Sequence, residues 1–197
     1  MFYGFARFVC RIVLVLLRRW EVYGAENLPA SGGLVLVSNH ISYWDPVVIG
    51  CAFNRQVYFM AKSELFEIPL LGPLLRALGA FPVRRDRTDS NAIRTALKII
   101  KEGNIVGVFP EGTRSHTGEL LRPHMGAAML ASKAGVAMLP VAVSGTRGVF
   151  GKVKVFVGKP VKSGEKTRVV KADLEKASGQ VMNQISSLLA GKNTGKS

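Results

Sequence analysis

The sequence predicts an α/β protein: a single domain with a mostly parallel central sheet of about six or seven strands flanked by helices. Apolar runs of strand length alternate along the chain with longer segments of helical periodicity, which is the pattern of βαβ units. The length of 197 residues suits one domain, and 48% hydrophobic residues are enough for one sizeable core. The predicted strands are 33–37, 57–60, 81–83, 105–109, 136–143 and 152–157.

The first twenty residues predict an amphipathic helix in the membrane interface. Arg7, Arg11 and Arg18 recur at helical offsets, so one face is cationic and the rest is aromatic and aliphatic. The longest apolar run, Ile12 to Leu17, is far below the ~18 residues that span a bilayer. The arginines and the lack of a small-residue cleavage site disfavour a signal peptide, and burial in the core is the other alternative. We expect residues 1–20 to associate with membrane, with the arginines among anionic headgroups.

The segment 33–37 predicts a fully buried strand, which a connection at 21–29 precedes. His40 follows this strand at its carboxyl end, where open α/β sheets place ligand sites. His40 and Asp45 are five positions apart, so they meet only if the intervening residues form a turn. An imidazole held by a carboxylate is the arrangement of a general base. The alternative is that Asp45 caps a helix over 47–53 and that His40 is an ordinary loop histidine.

Apolar segments broken by prolines follow the strand at 57–60. Residues 62–66 and 69–78 predict short helices with the composition of a groove for an acyl chain or, alternatively, of ordinary core. The strand at 81–83 then leads to the basic run 84–87, which suits either phosphate binding or a solvated loop.

The most polar motif follows the strand at 105–109. It places Glu111-Gly112-Thr113-Arg114 in consecutive positions. Glycine lets backbone N–H groups approach a ligand closely, and arginine offers a planar fork that fits phosphate oxygens. These residues predict an anion-binding loop, and a polar turn with a surface Arg–Glu pair is the alternative.

The remaining segments complete the alternation. Further helices are predicted at 91–102, 126–134 and 169–189. Lysine alternates with apolar residues over 152–157, which indicates an edge strand with one solvated, charged face. Residues 191–197 predict a flexible tail.

Charge and cysteine content narrow the classes of partner. The net charge of +14 implies an acidic partner, which is nucleic acid, an anionic membrane or an acidic protein. The sequence has no recognisable nucleic-acid motif and no interleaved aromatic and basic platform, so we expect no nucleic acid. Cys10 and Cys51 have no metal or disulfide spacing, which favours a reducing, cytoplasmic setting.

Four motifs in order resemble those of the glycerolipid acyltransferases of the 1-acylglycerol-3-phosphate acyltransferase (PlsC) type. They are His40-x4-Asp45, the Gly-Ala-Phe-Pro-Val-Arg-Arg block 79–85, the Phe-Pro-Glu-Gly-Thr-Arg-Ser block 109–115 and the hydrophobic-proline block 136–141. Arg84 departs from the acidic residue frequent in relatives, and Ala137 from the first proline of the last block. The resemblance covers residues 20–147 and implies an acyltransferase domain, which we expect over 21–190.

The resemblance implies transfer of a fatty acyl group to the free sn-2 hydroxyl of lysophosphatidic acid, giving phosphatidic acid in phospholipid biosynthesis. Glycerol-3-phosphate or another lysolipid is the alternative acceptor. The donor is a thioester of CoA or of acyl carrier protein. His40 is then the general base, and Asp45 holds its other ring nitrogen. No metal and no bound cofactor is needed, because the thioester is already activated. A thioesterase could use the same pair to activate water.

The resemblance also implies a set of substrate-binding residues. They are Arg85, Glu111, Gly112, Thr113 and Arg114. The two arginines and the backbone N–H groups bind the phosphate, with Arg84 the alternative to Arg85, and the glutamate orients Arg114 or the glycerol hydroxyl. Tyr43 and Trp44 either pack beside the acyl donor or fill the helix–sheet seam. We expect a peripheral or monotopic enzyme on the cytoplasmic face of the membrane.

Overall fold

The computed structural model describes residues 2–84, 89–148, 150–162 and 170–191, in which strands and helices alternate along the chain. The strands are β1 (Glu21–Tyr23), β2 (Leu34–Ser38), β3 (Val57–Lys62), β4 (Phe81–Val83), β5 (Ile105–Val108), β6 (Ala137–Ser144), β7 (Lys154–Val157) and β8 (Val161–Lys162). The helices are α1 (Phe2–Arg18), α2 (Asp45–Ala52), α3 (Leu71–Ala77), α4 (Ser90–Lys101), α5 (Gly126–Ala134) and α6 (Lys171–Gly191). The predicted α/β class is confirmed.

The strands form one sheet in the order β1-β7-β6-β2-β5-β3-β4, and β8 pairs with β6 outside this path. The pairs β6–β2, β2–β5, β5–β3, β3–β4 and β1–β7 are parallel. Strands β7 and β8 run antiparallel to β6. The sheet is therefore mostly parallel, as the alternating pattern predicts, and all five strands from β6 to β4 present their carboxyl ends at one edge.

The prediction of an edge strand over 152–157 is wrong, because β7 lies between β6 and β1. The alternation does identify the half-buried strand: Val155 and Val157 are buried, whereas Lys154 is partly exposed. Which strand covers an edge depends on a distant segment, here the three residues of β1, a segment that the sequence predicts only as a connection.

Two clusters of buried side chains fill the two faces of the sheet. On one face, Leu14 of α1 and Ile49 of α2 pack with β-strand valines and leucines. On the other face, Ala96, Ala131 and Ile185 bring α4, α5 and α6 onto the sheet. The small residues of α4 and α5 let these helices approach the strands closely.

The direction of each crossover indicates where α3 lies. The connections β2–α2–β3 and β3–α3–β4 advance across the sheet in one direction, whereas β4–α4–β5 and β5–α5–β6 return. Right-handed crossovers that advance in the same direction place their helices on the same face. Helix α3 therefore belongs to the face that carries α1 and α2.

Helix α1 turns its apolar face outward and its arginines toward the protein. Arg7 donates to the backbone oxygen of Asn54 at 2.6 Å, and Arg11 to that of Cys51 at 2.8 Å, just where α2 ends. Arg18 is buried and donates to the backbone oxygens of Gly145, Gly148 and Gly151. The expectation that these arginines lie among headgroups is wrong, because unsatisfied carbonyls of the fold compete for them.

Burial of the whole helix in the core, the alternative interpretation of this segment, is not found either. Only Leu14 and Arg18 of α1 are buried, whereas Phe5 and Leu16 are exposed by 67% and 74%. Within the described ranges, no helix combines the length and the apolar character that crossing a membrane requires.

Candidate active site

Three neighbouring strands deliver the polar motifs to the carboxyl edge of the sheet. Strand β2 lies between β6 and β5 and leads into His40. Strand β5 leads into the loop with Glu111 and Arg114, and β6 leads into Thr146. Because these strands are parallel, motifs that are far apart in sequence converge at one place.

His40 and Asp45 form a direct pair. His40 Nδ1 lies 2.8 Å from Asp45 Oδ2, and the carboxylate is fully buried. The same Oδ2 atom accepts the backbone N–H groups of Ile41 and Ser42 at 2.6 and 2.7 Å. These two hydrogen bonds form the turn that the five-residue spacing requires.

The hydrogen bonds of Asp45 also assign the proton of the imidazole. The hydroxyl of Thr146 donates to Oδ1 at 2.5 Å, so every partner of the carboxylate is a donor. His40 Nδ1 therefore carries its proton toward Asp45, and in the neutral imidazole Nε2 holds the lone pair. Asp45 is the first residue of α2 and makes no capping hydrogen bond to the helix, so the capping alternative is not found.

Aromatic packing holds the imidazole from the side. The ring of His40 stacks on Phe109 with centroids 4.0 Å apart, and Phe109 stacks on Phe59 at 5.5 Å. Phe59 lies directly over Gly107, where any Cβ would collide with its ring. The rings of His40, Phe109 and Phe59 thus form a continuous stack from the site to the hydrophobic core, and this packing restricts the orientation of His40.

Glu111 joins the two motifs through their backbones. Its Oε1 accepts the N–H of His40 at 2.8 Å, and its Oε2 accepts the N–H of Leu121 at 2.9 Å. In return, the backbone oxygen of His40 accepts the N–H of Ser115 at 2.8 Å. Burial raises the pKa of Glu111, and the two backbone donors oppose that rise. Glu111 thus braces the His40 loop, and its orienting of Arg114 or of the glycerol hydroxyl stays a prediction.

Arg114 lies over an aromatic side chain of the neighbouring motif. Its guanidinium carbon is 3.5 Å from the centre of the Tyr43 ring, and Tyr43 is 74% exposed. An exposed Tyr43 does not fill the helix–sheet seam, one of its two expected roles, whereas its contact with the acyl donor stays a prediction. A guanidinium stacked on a ring keeps its N–H edge free for an anion.

The other predicted anion-binding residues differ in their surroundings. Gly112 has a φ of 69°, a Cβ added there would press on the ring of His124, and its N–H already donates to the backbone oxygen of Phe109. Thr113 is exposed. Arg85 lies outside the described residues, whereas Arg84 is exposed at the end of β4.

Two residues of the site are missing from the sequence-based set. Thr146 is fully buried and donates its hydroxyl hydrogen bond to Asp45. Arg147 donates to the backbone oxygen of Ser115 at 2.6 Å and so ties the β6 end to the β5 loop. The available signal was position: both residues follow a buried strand parallel to β2.

Cys51 does not contribute to this site. Its thiol is buried, contacts the backbone oxygen of Arg7, and has a pKa raised by burial to about 12. A thiol with that pKa is not a nucleophile at neutral pH. In the part of the chain that the structure describes, no three His, Cys, Asp or Glu residues form a cluster suited to a metal ion.

The fold and the site define an α/β enzyme in which a buried carboxylate holds an imidazole at the carboxyl edge of the sheet. Comparison with known proteins gives the family. A family model described as Acyltransferase matches residues 19–144. The chain is 32% identical over 188 residues to the 1-acyl-sn-glycerol-3-phosphate acyltransferase of Bacillus subtilis, which covers 92% of this chain and 94% of that one.

Other similar proteins carry the same description. The 1-acyl-sn-glycerol-3-phosphate acyltransferase of Borreliella burgdorferi is 33% identical over 68% of this chain and 55% of its own length. The crystal structure of the 1-acyl-sn-glycerophosphate acyltransferase PlsC from Thermotoga maritima superposes with a TM-score of 0.76 and 30% identity, over 95% of this chain and 80% of that chain. The chain therefore belongs to the acyltransferase family, among the enzymes of the PlsC type.

Proposed function

We propose that this enzyme transfers a fatty acyl group from a thioester to the sn-2 hydroxyl of 1-acylglycerol-3-phosphate, forming phosphatidic acid. The observation that carries the proposal is the His40–Asp45 pair, whose four hydrogen bonds leave the imidazole Nε2 available as a base. The names of the relatives support this acceptor, since several are 1-acyl-sn-glycerol-3-phosphate acyltransferases. The donor is either acyl-CoA or acyl carrier protein.

The chemistry needs one proton acceptor that later becomes a proton donor. His40 Nε2 removes the proton of the secondary hydroxyl as its oxygen attacks the thioester carbonyl. The C–S bond then breaks, and the imidazolium returns its proton to the leaving thiolate. Asp45 stabilises the positive ring between these two steps. Neither step needs a covalent acyl-enzyme.

The substrate phosphate binds beside the base. Arg114 is the described candidate, because its guanidinium is aligned on Tyr43 and lies in the loop that Glu111 and Ser115 attach to His40. Arg85 is proposed as a second phosphate ligand on the strength of its place in the motif. Gly112 and Thr113 complete the loop that faces the phosphate.

Helix α1 supports a membrane location for the enzyme. Nine large apolar side chains of this helix are exposed, as is typical of a surface that binds a membrane or a partner, and its cations are bound by the protein. We propose that this face lies among acyl chains on the cytoplasmic side of the membrane, as a peripheral or monotopic attachment. The net charge of +14 favours an anionic membrane surface.

The test is thiol release from an acyl thioester by the purified protein, with and without 1-acylglycerol-3-phosphate. We expect release that requires the acceptor and that falls by roughly 100- to 10000-fold in His40→Ala without loss of fold. Arg114→Ala should mainly raise KM for the acceptor. Release without acceptor would identify a thioesterase, and unchanged turnover in a folded His40→Ala would remove the base assignment.

A further inference from the structure

The segment between β3 and α3 exposes apolar side chains at the carboxyl edge of the sheet. Ile68 and Leu74 are exposed by 45% and 43%, and Leu70 by 87%. Pro69 between them is exposed as well. We call Ile68, Pro69, Leu70 and Leu74 the apolar tip. Ordinary core, one of the two sequence-based interpretations of this segment, is therefore not what these four residues form.

The backbone holds Leu70 outward in a strained conformation. Leu70 has φ 66° and ψ −42°, and the N–H of Leu71 donates to the backbone oxygen of Pro69 at 2.8 Å. This is a γ-turn with positive φ, a conformation that costs of order 1–3 kcal/mol outside glycine. The fold therefore maintains, at a cost, a turn that points a leucine into the surroundings.

Packing behind the tip keeps this turn in place. Gly72 lies so close to the backbone oxygen of Phe66 that a Cβ would collide with it, and its N–H donates to Ile68 at 2.9 Å. Phe66 is buried, and the guanidinium of Arg76 lies over its ring at 5.3 Å. The tip thus projects from a rigid base.

The tip and helix α1 share one face of the protein. Helix α3 lies on the side of the sheet that carries α1 and α2, because the two crossovers advance in the same direction. The tip begins α3 at the carboxyl edge, where His40 and Arg114 also lie. Exposed apolar side chains on the side of the sheet that carries α1, at the edge where the site lies, match a lipid layer better than a water-filled approach.

We propose that the apolar tip inserts into the acyl-chain boundary of the bilayer and forms a second membrane attachment beside the active site. The inference rests on the proposed function, since an acceptor drawn from the membrane must reach His40 from that side. Three cations and two carboxylates border the tip over 62–84: Lys62, Arg76, Arg84, Glu64 and Glu67. They can remain at the headgroup level while Ile68 and Leu70 enter the apolar layer.

The direct test places an environment-sensitive fluorophore on Leu70→Cys in a Cys10→Ser background. Cys51 is buried with a pKa of about 12 and should not compete for the label. On vesicles of phosphatidylglycerol and phosphatidylcholine, the emission should shift to the blue and increase. The matched control is Val170→Cys before α6, an exposed residue that belongs to the opposite face. Its label should remain water-like.

A second variant separates insertion from folding. Leu70→Gly removes the side chain and relieves the positive φ, so thermal unfolding should not occur earlier than in the wild type. Vesicle partitioning should nevertheless fall roughly tenfold, whereas Val170→Gly should change it little.

The proposal is overturned if the label on residue 70 stays water-like while the protein co-sediments with vesicles, or if no co-sedimentation occurs. Thiol release with a short-chain, water-soluble 1-acylglycerol-3-phosphate tests the proposed function separately. Activity on that acceptor with a water-like tip would reject the insertion only, and no activity with an inserted tip would reject the acyl transfer only.

Discussion

Replacing Asp45 by asparagine removes one charge from the site and little else. With the amide oxygen in the place of Oδ2, the hydrogen bonds from His40, Ile41 and Ser42 persist. The amide nitrogen then faces the hydroxyl of Thr146, which can accept a hydrogen bond instead of donating one. We therefore expect Asp45→Asn to fold with the imidazole in its original orientation.

The expected loss in rate follows from the distance between the two groups. His40 is neutral before the reaction and positive at the transition state, so the interaction with a negative Asp45 grows during the reaction. With Nδ1 and Oδ2 2.8 Å apart, the charge centres are about 4 Å apart, which corresponds to about 4 kcal/mol at an effective dielectric constant of about 20. Loss of that stabilisation lowers kcat by about 1000-fold.

The assay is acceptor-dependent thiol release at saturating substrates, with circular dichroism and thermal unfolding as checks of the fold. Asp89→Asn is the matched control, because Asp89 is an aspartate at the N-cap of α4 and asparagine caps equally well. Its kcat should not change. If folded Asp45→Asn kept kcat within tenfold of the wild type, the carboxylate would orient His40 without stabilising its charge.

Three further substitutions test the surroundings of the pair. Tyr43→Ala removes the ring under Arg114 and should raise KM for lysophosphatidic acid severalfold at constant kcat, whereas Tyr43→Phe keeps the ring and should behave as wild type. An equal KM in both variants would mean that the stacking contact does not affect binding of this substrate. Thr146→Val leaves Oδ1 of Asp45 buried without a donor and should lower the free energy of unfolding by about 1–3 kcal/mol, with Thr146→Ser close to wild type in denaturant titrations. Glu111→Gln replaces one acceptor by a donor facing a backbone N–H and should also destabilise by about 1–3 kcal/mol at neutral pH. Burial raises the pKa of Glu111 in the folded state, so protonation of this carboxylate stabilises the fold at pH values below its ordinary pKa of 4.5. That stabilisation is lost as the pH rises through the raised pKa. The difference in free energy of unfolding between wild type and Glu111→Gln should therefore become smaller as the pH rises. A difference that grows with pH would contradict a raised pKa of Glu111.

Local patterns predicted most of the elements and part of the site. The strands β2, β3, β4, β5 and β6 begin and end within two residues of their predicted bounds, because each is an apolar run bounded by polar or glycine residues. The sequence predicted that a turn must separate His40 and Asp45 if their side chains are to meet, since a spacing of five places them on different faces of a regular helix. The structure meets that requirement with Ile41 and Ser42 as backbone donors.

Other features depend on contacts that no local pattern contains. The amphipathic pattern of α1 predicts two faces, but only the carbonyl groups at the end of α2 decide that the arginines turn inward. Glu111 has the residue type of a substrate-orienting carboxylate, yet the N–H groups of His40 and Leu121 use both its oxygens. In each case a partner distant in sequence determines the role.

Local properties of the sequence, namely strand length, helical period and side-chain type, were enough to predict the α/β class, the order of the motifs and the chemical groups available for acyl transfer. Contacts between distant segments place β7 inside the sheet, bring Thr146 to Asp45 and leave Leu70 exposed, and no local pattern predicts these three features. The period of a helix or strand determines the face on which each residue lies, because it is a local property. The element that packs against that face comes from elsewhere in the chain.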